Sequence, residues 1–435
     1  MLRHIRRADW PFDIRRVPFF YGWVILLLST LGILVSIPGQ TMGMAVFTDP
    51  LIDALGLSRT QLSVAYMVGT IGSSLFLTRA GRLYDRFGGR LMVAVSSLSL
   101  ALMLMFISVT DQLSGLFGGG PFFSFVFIML GYFGVRFFGQ GVLTSASRNV
   151  LLLWFEKRRG LVSSARGVFV SFGFSLAPLA LAWLIAVNDW RWAIWVLAGC
   201  CAGFSVFAYL FLRDDPTTCG VMVDGHSEDD APAVAIAVIN FTLAQARRSQ
   251  LFWVLSLSLG IHSLFGTAVV FHIVSIFSEA GRTSAEAFGY FLPAAIGSTS
   301  VNLLVGWLAD KRPLKPFLIM MLVSFILGGF GLLNLHSEWG YWLLVIGFGA
   351  GGGFWSVISN LGFIRNFGPL HLGEISGLCT AVMVFTSAIG PALFSVGLDV
   401  FGTYAAAEWL CIVALIVLLT VAIKVPHDHE QLSRG

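Results

Sequence analysis

A chain of 435 residues in which 57% of side chains are hydrophobic and 11% are charged is not a soluble globular domain, where about a quarter of residues carry charge. The net charge of +4 says little by itself, because the placement of the charges matters more than their sum. The 48 glycines and 39 phenylalanines suit helices that pack closely on one another and face lipid, so the composition defines an integral membrane protein whose partner is the bilayer and not nucleic acid.

The N-terminal sixteen residues, MLRHIRRADWPFDIRR, are basic, and the apolar run that follows is too long for a cleaved signal. Stretches long enough to cross a hydrocarbon core of ~30 Å recur about twelve times. Their expected limits are 19–47, 61–78, 91–109, 122–153, 161–187, 192–212, 251–277, 288–309, 316–335, 340–364, 375–398 and 404–424. In lipid each must be helical, since an open strand would leave backbone groups unpaired.

Positive charge orients these spans. Arg3, Arg6, Arg7, Arg15 and Arg16 precede span 1. Arg82, Arg86 and Arg90 follow span 2, Lys157, Arg158 and Arg159 follow span 4, and Arg213, Arg247 and Arg248 bracket the link between spans 6 and 7. Lys311, Arg312 and Lys315 follow span 8, and Arg365 follows span 10. The opposite loops hold only Arg59, Arg191 and Arg282. The positive-inside rule then places both termini in the cytoplasm. Residues 214–250 form the one long polar segment. It is acidic and rich in turn formers at first, then NFTLAQARRSQ offers a short amphipathic helix at the membrane surface. It separates an N-terminal six-helix bundle, 1–213, from a C-terminal one, 251–435.

The two halves echo each other. GRLYDRFGGR (81–90) follows span 2, and GWLADKR (306–312) follows span 8, the equivalent place in the second half. Asn149 with Gly160-Leu161 after span 4 is faintly matched by Asn360 with Gly377-Leu378 after span 10. A parallel repeat of this kind suits two bundles that rock about a site between them. In the repeated loop, Gly81 lets two helices touch, and Asp85 suits a neighbouring Arg or a helix N-terminus. Gly81, Asp85, Arg86 and Arg90, with Asp310 and Lys311 in the second copy, are therefore gating candidates. Pro313 stands where the first copy has glycine.

These residues carry a resemblance. GRLYDRFGGR and, in span 4, RFFGQG resemble the motifs of the major facilitator superfamily over nearly the whole chain. WFEKRRGL (154–161), Phe20-Tyr21-Gly22-Trp23, and Asp215-Pro216 with Gly220 and Asp224-Gly225 are similar to the monocarboxylate-porter and oxalate/formate-antiporter branch. The resemblance implies an all-α fold of twelve transmembrane helices in two six-helix bundles, and transport of a small organic anion. One departure stands out: carboxylate carriers of that branch have a cation in span 8, and 288–309 has none.

Arg136 sits near the middle of span 4, where insertion costs about 2.5–3.5 kcal/mol, and intramembrane charges usually face a cavity. Gln140 lies one turn on. Arg148 and Arg166 lie nearer the cytoplasmic face, close enough to snorkel. Gln40 and Thr41 near Pro38, Tyr66, Tyr290, Asn302, Trp355, Ser359 and Asn360 offer a polar lining, and Pro38 permits a break in the first span. His262 and His272 in span 7 suit proton transfer. No carboxylate is read in mid-membrane; Asp49, Asp53 and Glu279 lie at outer helix ends. The substrate-binding set is thus Arg136, Gln140, Gln40, Tyr66, His262, Tyr290, Asn302, Trp355 and Asn360.

The five cysteines, Cys200, Cys201, Cys219, Cys379 and Cys411, have no framework or metal spacing. No cofactor is implied. The glycine run Gly349-Ala350-Gly351-Gly352-Gly353 is not a phosphate loop, since no lysine follows, and no catalytic constellation of a membrane enzyme is present. The sequence therefore points to a monomeric, multi-pass secondary transporter of the cell membrane, a bacterial inner membrane by expectation. The runner-up readings are efflux of amphipathic compounds and a transport-dead sensor.

Overall fold

The computed structural model describes residues 10–223 and 240–425, and every regular element among them is helical. Ten helices are long and apolar enough to cross a membrane: α4 (Gly89–Ser108), α5 (Pro121–Trp154), α6 (Arg159–Val187), α7 (Trp190–Phe211), α8 (Gln250–Glu279), α9 (Phe291–Ala309, extended N-terminally by a short helix), α10 (Lys315–Leu333), α11 (Glu338–Phe367), α12 (Leu372–Phe401) and α13 (Ala405–Lys424). The first two expected spans come in pieces. Span 1 is α1 (Gly22–Val35), a 3₁₀ turn at Ile37–Gly39 and a short helix Thr41–Ala45. Span 2 is α2 (Arg59–Ser74) followed by α3 (Leu77–Phe87).

Local chemistry sets the ends. Ser58 opens α2 with a capping box to Gln61, and Asp189 caps α7 by accepting from the Trp192 N–H at 2.6 Å. Gly88, at φ 85°, turns the chain between α3 and α4 in a region closed to most L-residues. Pro38 lacks the N–H that a continuing helix needs, which accounts for the break in span 1. After residues 224–239, which lie outside the described residues, Thr242 caps a single helical turn, Leu243–Ala246.

The chain divides into two compact units. Unit 1 comprises residues 1–157, 169–236 and 372–381, and unit 2 comprises 158–168, 237–371 and 382–435. In unit 1, α4 packs on α7, α2 on α5, and the last part of α5 on α1. Aromatic side chains join the sequence stretches that carry the branch resemblance: Phe20 lies 5.5 Å from Phe155, and Tyr21 lies 5.9 Å from Trp154. In unit 2, α10 and α9 pack on α11, and α13 packs on α10 and α8. Each of α6 and α12 begins in one unit and ends in the other.

Candidate functional site

The middle of α5 departs from α-helical geometry. Residues Arg136–Leu143 form a π-helical stretch, a feature that recurs at functional sites. It packs against the break in the first span. A Cβ on Gly139 would lie 2.8 Å from the Gly39 Cα, so only glycine on both sides allows the two backbones this close. The approach brings the Gly39 carbonyl, left without a helical partner, to the Arg136 guanidinium.

Arg136 is 2% exposed. Its Nη1 donates to the Gly39 carbonyl at 3.1 Å and to the Thr41 hydroxyl at 3.3 Å. Tyr66 lies under the guanidinium at 5.2 Å and donates to Thr41 at 3.0 Å. Nε is buried with no partner, and Nη2 makes no hydrogen bond among the described residues. No carboxylate pairs with Arg136 there either. The Nε–Nη2 edge is the one that meets a carboxylate in a fork. One turn on, the buried Oε1 of Gln140 also lacks a partner. Thr41 is exposed and Tyr66 half-buried, so the group reaches an accessible face. Gln40 stands beside it but is committed, donating to Ser36 at 3.1 Å and Thr144 at 3.2 Å. Ser36 and Thr144 carry no motif in the sequence that would have singled them out.

In unit 2, the His262 ring stacks on Phe325 at 4.3 Å and lies 5.1 Å from Trp355. Its Nδ1 is buried and unpartnered. Trp355 donates to the Leu259 carbonyl at 3.4 Å. Tyr290 is buried at the start of α9, away from this stack in the chain and edge-on to Phe291. His272 sits further along α8, where its Nε2 lies 3.0 Å from the Pro391 carbonyl. Asn302 exchanges hydrogen bonds with Ser164, and Asn360 accepts from Arg166 at 2.6 Å, so both tie to the start of α6. Arg166, read from the sequence as a side chain that snorkels, is instead buried, because Asn360 supplies its guanidinium with an acceptor inside the unit.

The repeated loops make matching contacts. In unit 1, Asp85 accepts from the backbone N–H groups of Gly373 at 2.7 Å and Glu374 at 2.8 Å, the first turn of α12. In unit 2, Asp310 accepts from Gly160 at 2.7 Å and Leu161 at 3.0 Å, the first turn of α6. Each carboxylate thus satisfies two otherwise orphan N–H groups at the positive end of a helix. Glycines make the approach possible: a Cβ on Gly81 would lie 2.2 Å from the Gly373 carbonyl, and one on Gly160 would lie 2.0 Å from that of Gly306. Arg82 pairs with Glu374 at 3.3 Å, and Arg365 pairs with Asp310 at 3.4 Å. Arg86 and Lys311 lie over the rings of Phe87 and Trp307. Arg90 has a different setting. Its side chain donates to the carbonyls of Tyr209 at 2.6 Å and Trp10 at 3.0 Å, and its N–H to Asp214 at 2.6 Å, stapling α4 to the end of α7.

One ionisable residue was overlooked in the sequence. Glu408 lies inside the last apolar run, in the first turn of α13, and is 4% exposed. It lies at the end of the span and not in its middle, so the reading that no carboxylate sits in mid-membrane is untouched, but it was not among the acids singled out at helix ends. The signal was a lone acid in AAAEWLCIV.

An all-helical chain with ten candidate spans among the described residues is a multi-pass membrane protein in class. Comparisons make this specific. The family model described as Major Facilitator Superfamily matches residues 28–391, and the chain belongs to that superfamily. No curated protein matches it. Among solved structures, it is similar to the E. coli fucose:proton symporter, with TM-score 0.66 and 13% identity over 94% of this chain and 100% of that one. It is similar to a proton:xylose symporter, with TM-score 0.71 and 15% identity over 95% and 98%. A human organic anion transporter matches with TM-score 0.63 and 14% identity over 92% and 99%. At these identities the likeness is one of fold.

Proposed function

We propose that the protein is a secondary active transporter that carries a small organic anion, such as a monocarboxylate, by alternating access across a bacterial inner membrane. The single observation that supports this cargo is the Nε–Nη2 edge of Arg136: a buried cation, held by its Nη1, with no carboxylate of its own. A buried charge without a counter-ion is costly, and an anionic solute offsets that cost when it binds. Gln140 and Tyr66 flank the anion in this reading. Arg136 supplies the cation that span 8 lacks. Folds of this kind serve sugar and organic-anion carriers alike, as the names of the similar structures indicate.

The Asp85 and Asp310 contacts act as the gate, formed in one state of the cycle and broken in another, with twelve crossings in two six-helix bundles and both ends of the chain in the cytoplasm. The test is uptake into proteoliposomes of a panel of organic acids, with and without a pH gradient. Saturable uptake of at least one acid is the expected result; uptake of none, with sugars or amphipathic cations moving instead, refutes the assignment. The stack of His262, Phe325 and Trp355 favours a second reading, efflux of amphipathic compounds. In that case an Arg136→Ala variant still confers resistance on cells.

A further inference from the structure

The end of unit 2 built from the close of α8, the loop after α10 and the start of α13 holds ionisable groups that the Arg136 site does not use. Glu279, in the last turn of α8, accepts from the Thr403 hydroxyl at 2.5 Å and the Tyr404 backbone N–H at 3.3 Å. Its carboxylate therefore caps the chain as it enters α13. Glu408, one turn into α13, is 4% exposed and makes no side-chain hydrogen bond or ion pair among the described residues. Both carboxylates line one cavity of about 230 Å³, together with His336 and Thr403. Glu279 also lines a second cavity of about 640 Å³ with His272, Ser275 and Tyr404. There the Tyr404 hydroxyl donates to Ser275 at 3.0 Å and lies 3.4 Å from His272 Nδ1.

The surrounding charges leave Glu408 without a cation. Helix α8 brings Glu279 and His272, and the loop after α10 brings His336. The basic residue of α10, Lys315, is at its far end, donating to the carbonyls of Ile423 and Val425. Arg282 reaches the Leu335 and Ser337 carbonyls, but its guanidinium is committed to Glu286 and Glu338. Burial alone would lower its affinity for the proton, and those two carboxylates reverse this and raise it. On α13 itself, the next ionisable group is the buried Cys411. The N-terminal turn of a helix favours an anion, but weakly compared with the loss of water around a buried carboxylate. Two carboxylates on one cavity do not both ionise cheaply.

We propose that Glu408 is a proton-binding site: its carboxylate takes a proton from water in the cavity and returns it. The use of that proton to drive transport rests on the proposed function; the binding does not. The test is infrared difference spectroscopy, against pH, of the full-length chain in lipid vesicles. The wild type shows a carboxylic-acid C=O band that is lost as the pH is raised. Glu408→Gln loses it, and Glu279→Gln moves its titration down by about one pH unit or more, since the like charge is gone. No such band, a band that survives Glu408→Gln, or a titration that Glu279→Gln leaves unmoved overturns the proposal. If Glu408→Gln does not fold, the wild type against Glu279→Gln decides alone. In the same vesicles, Glu408→Gln exchanges an organic anion but does not concentrate it under a pH gradient. Equal accumulation by wild type and variant overturns the coupling role and leaves the transport reading standing. A wild type that moves no anion refutes the transport reading and leaves the infrared result untouched.

Discussion

Asp310→Asn tests the gate where its chemistry is simplest. The native carboxylate accepts from the N–H groups of Gly160 and Leu161 and pairs with Arg365, and its side chain is 9% exposed. An amide has one oxygen to offer, so one N–H faces an NH₂ and loses its acceptor. A hydrogen bond to a charged group contributes about 1.5–3 kcal/mol, and the weakened pair with Arg365 adds up to about 1 kcal/mol. The capped arrangement therefore loses about 1.5–4 kcal/mol, which is about 10- to 700-fold in the equilibrium between closed and open α6 N-terminus. Hydrogen exchange followed by mass spectrometry reads this directly. The peptide holding Gly160 and Leu161 exchanges faster by about that factor in the variant, while a peptide from the core of α10 is unchanged. Exchange at 160–161 equal to wild type would refute the reasoning, because the two N–H groups would then owe nothing to the carboxylate.

Three further outcomes follow from the same geometry. Gly81→Ala places a methyl 2.2 Å from the Gly373 carbonyl, so it costs about 1–3 kcal/mol as overpacking and lowers the thermal unfolding midpoint measured by tryptophan fluorescence. Gln140→Glu supplies Arg136 with an anion of its own one turn away and abolishes organic-anion uptake at unchanged expression, whereas Gln140→Leu reduces it only in part. Asp214→Ala removes the acceptor for the Arg90 N–H and costs about 1 kcal/mol, as loss of a cap does, again read as a lowered midpoint.

The membrane-spanning helices were legible because some twenty apolar residues in a row have no other stable home. The break at Pro38 was legible for the same local reason, a missing N–H. The π-helical stretch at 136–143 was not, since RFFGQGVL has ordinary helical periodicity and the shift answers to the Gly39 backbone across from it. Asp85 and Asp310 stood out as a repeat, but their partners are backbone N–H groups of residues far away in the chain, which no side-chain pattern announces. Arg166 was misread because snorkelling is the default for a cation near a helix end, and Asn360 offers it something better. Glu408 escaped notice because a single acid near a span's edge looks like a surface charge.

The central claim is that the free edge of Arg136 holds the anionic cargo. It is tested most directly by binding of a labelled organic acid, chosen from the uptake panel, to purified wild type, Arg136→Lys and Arg136→Ala. Truncating one side of a buried charge pair costs about 2–5 kcal/mol. Affinity therefore falls by about 30-fold or more in Arg136→Ala and less in Arg136→Lys, which keeps the charge but not the fork. Wild-type affinity in Arg136→Ala, with the fold intact, would contradict the claim.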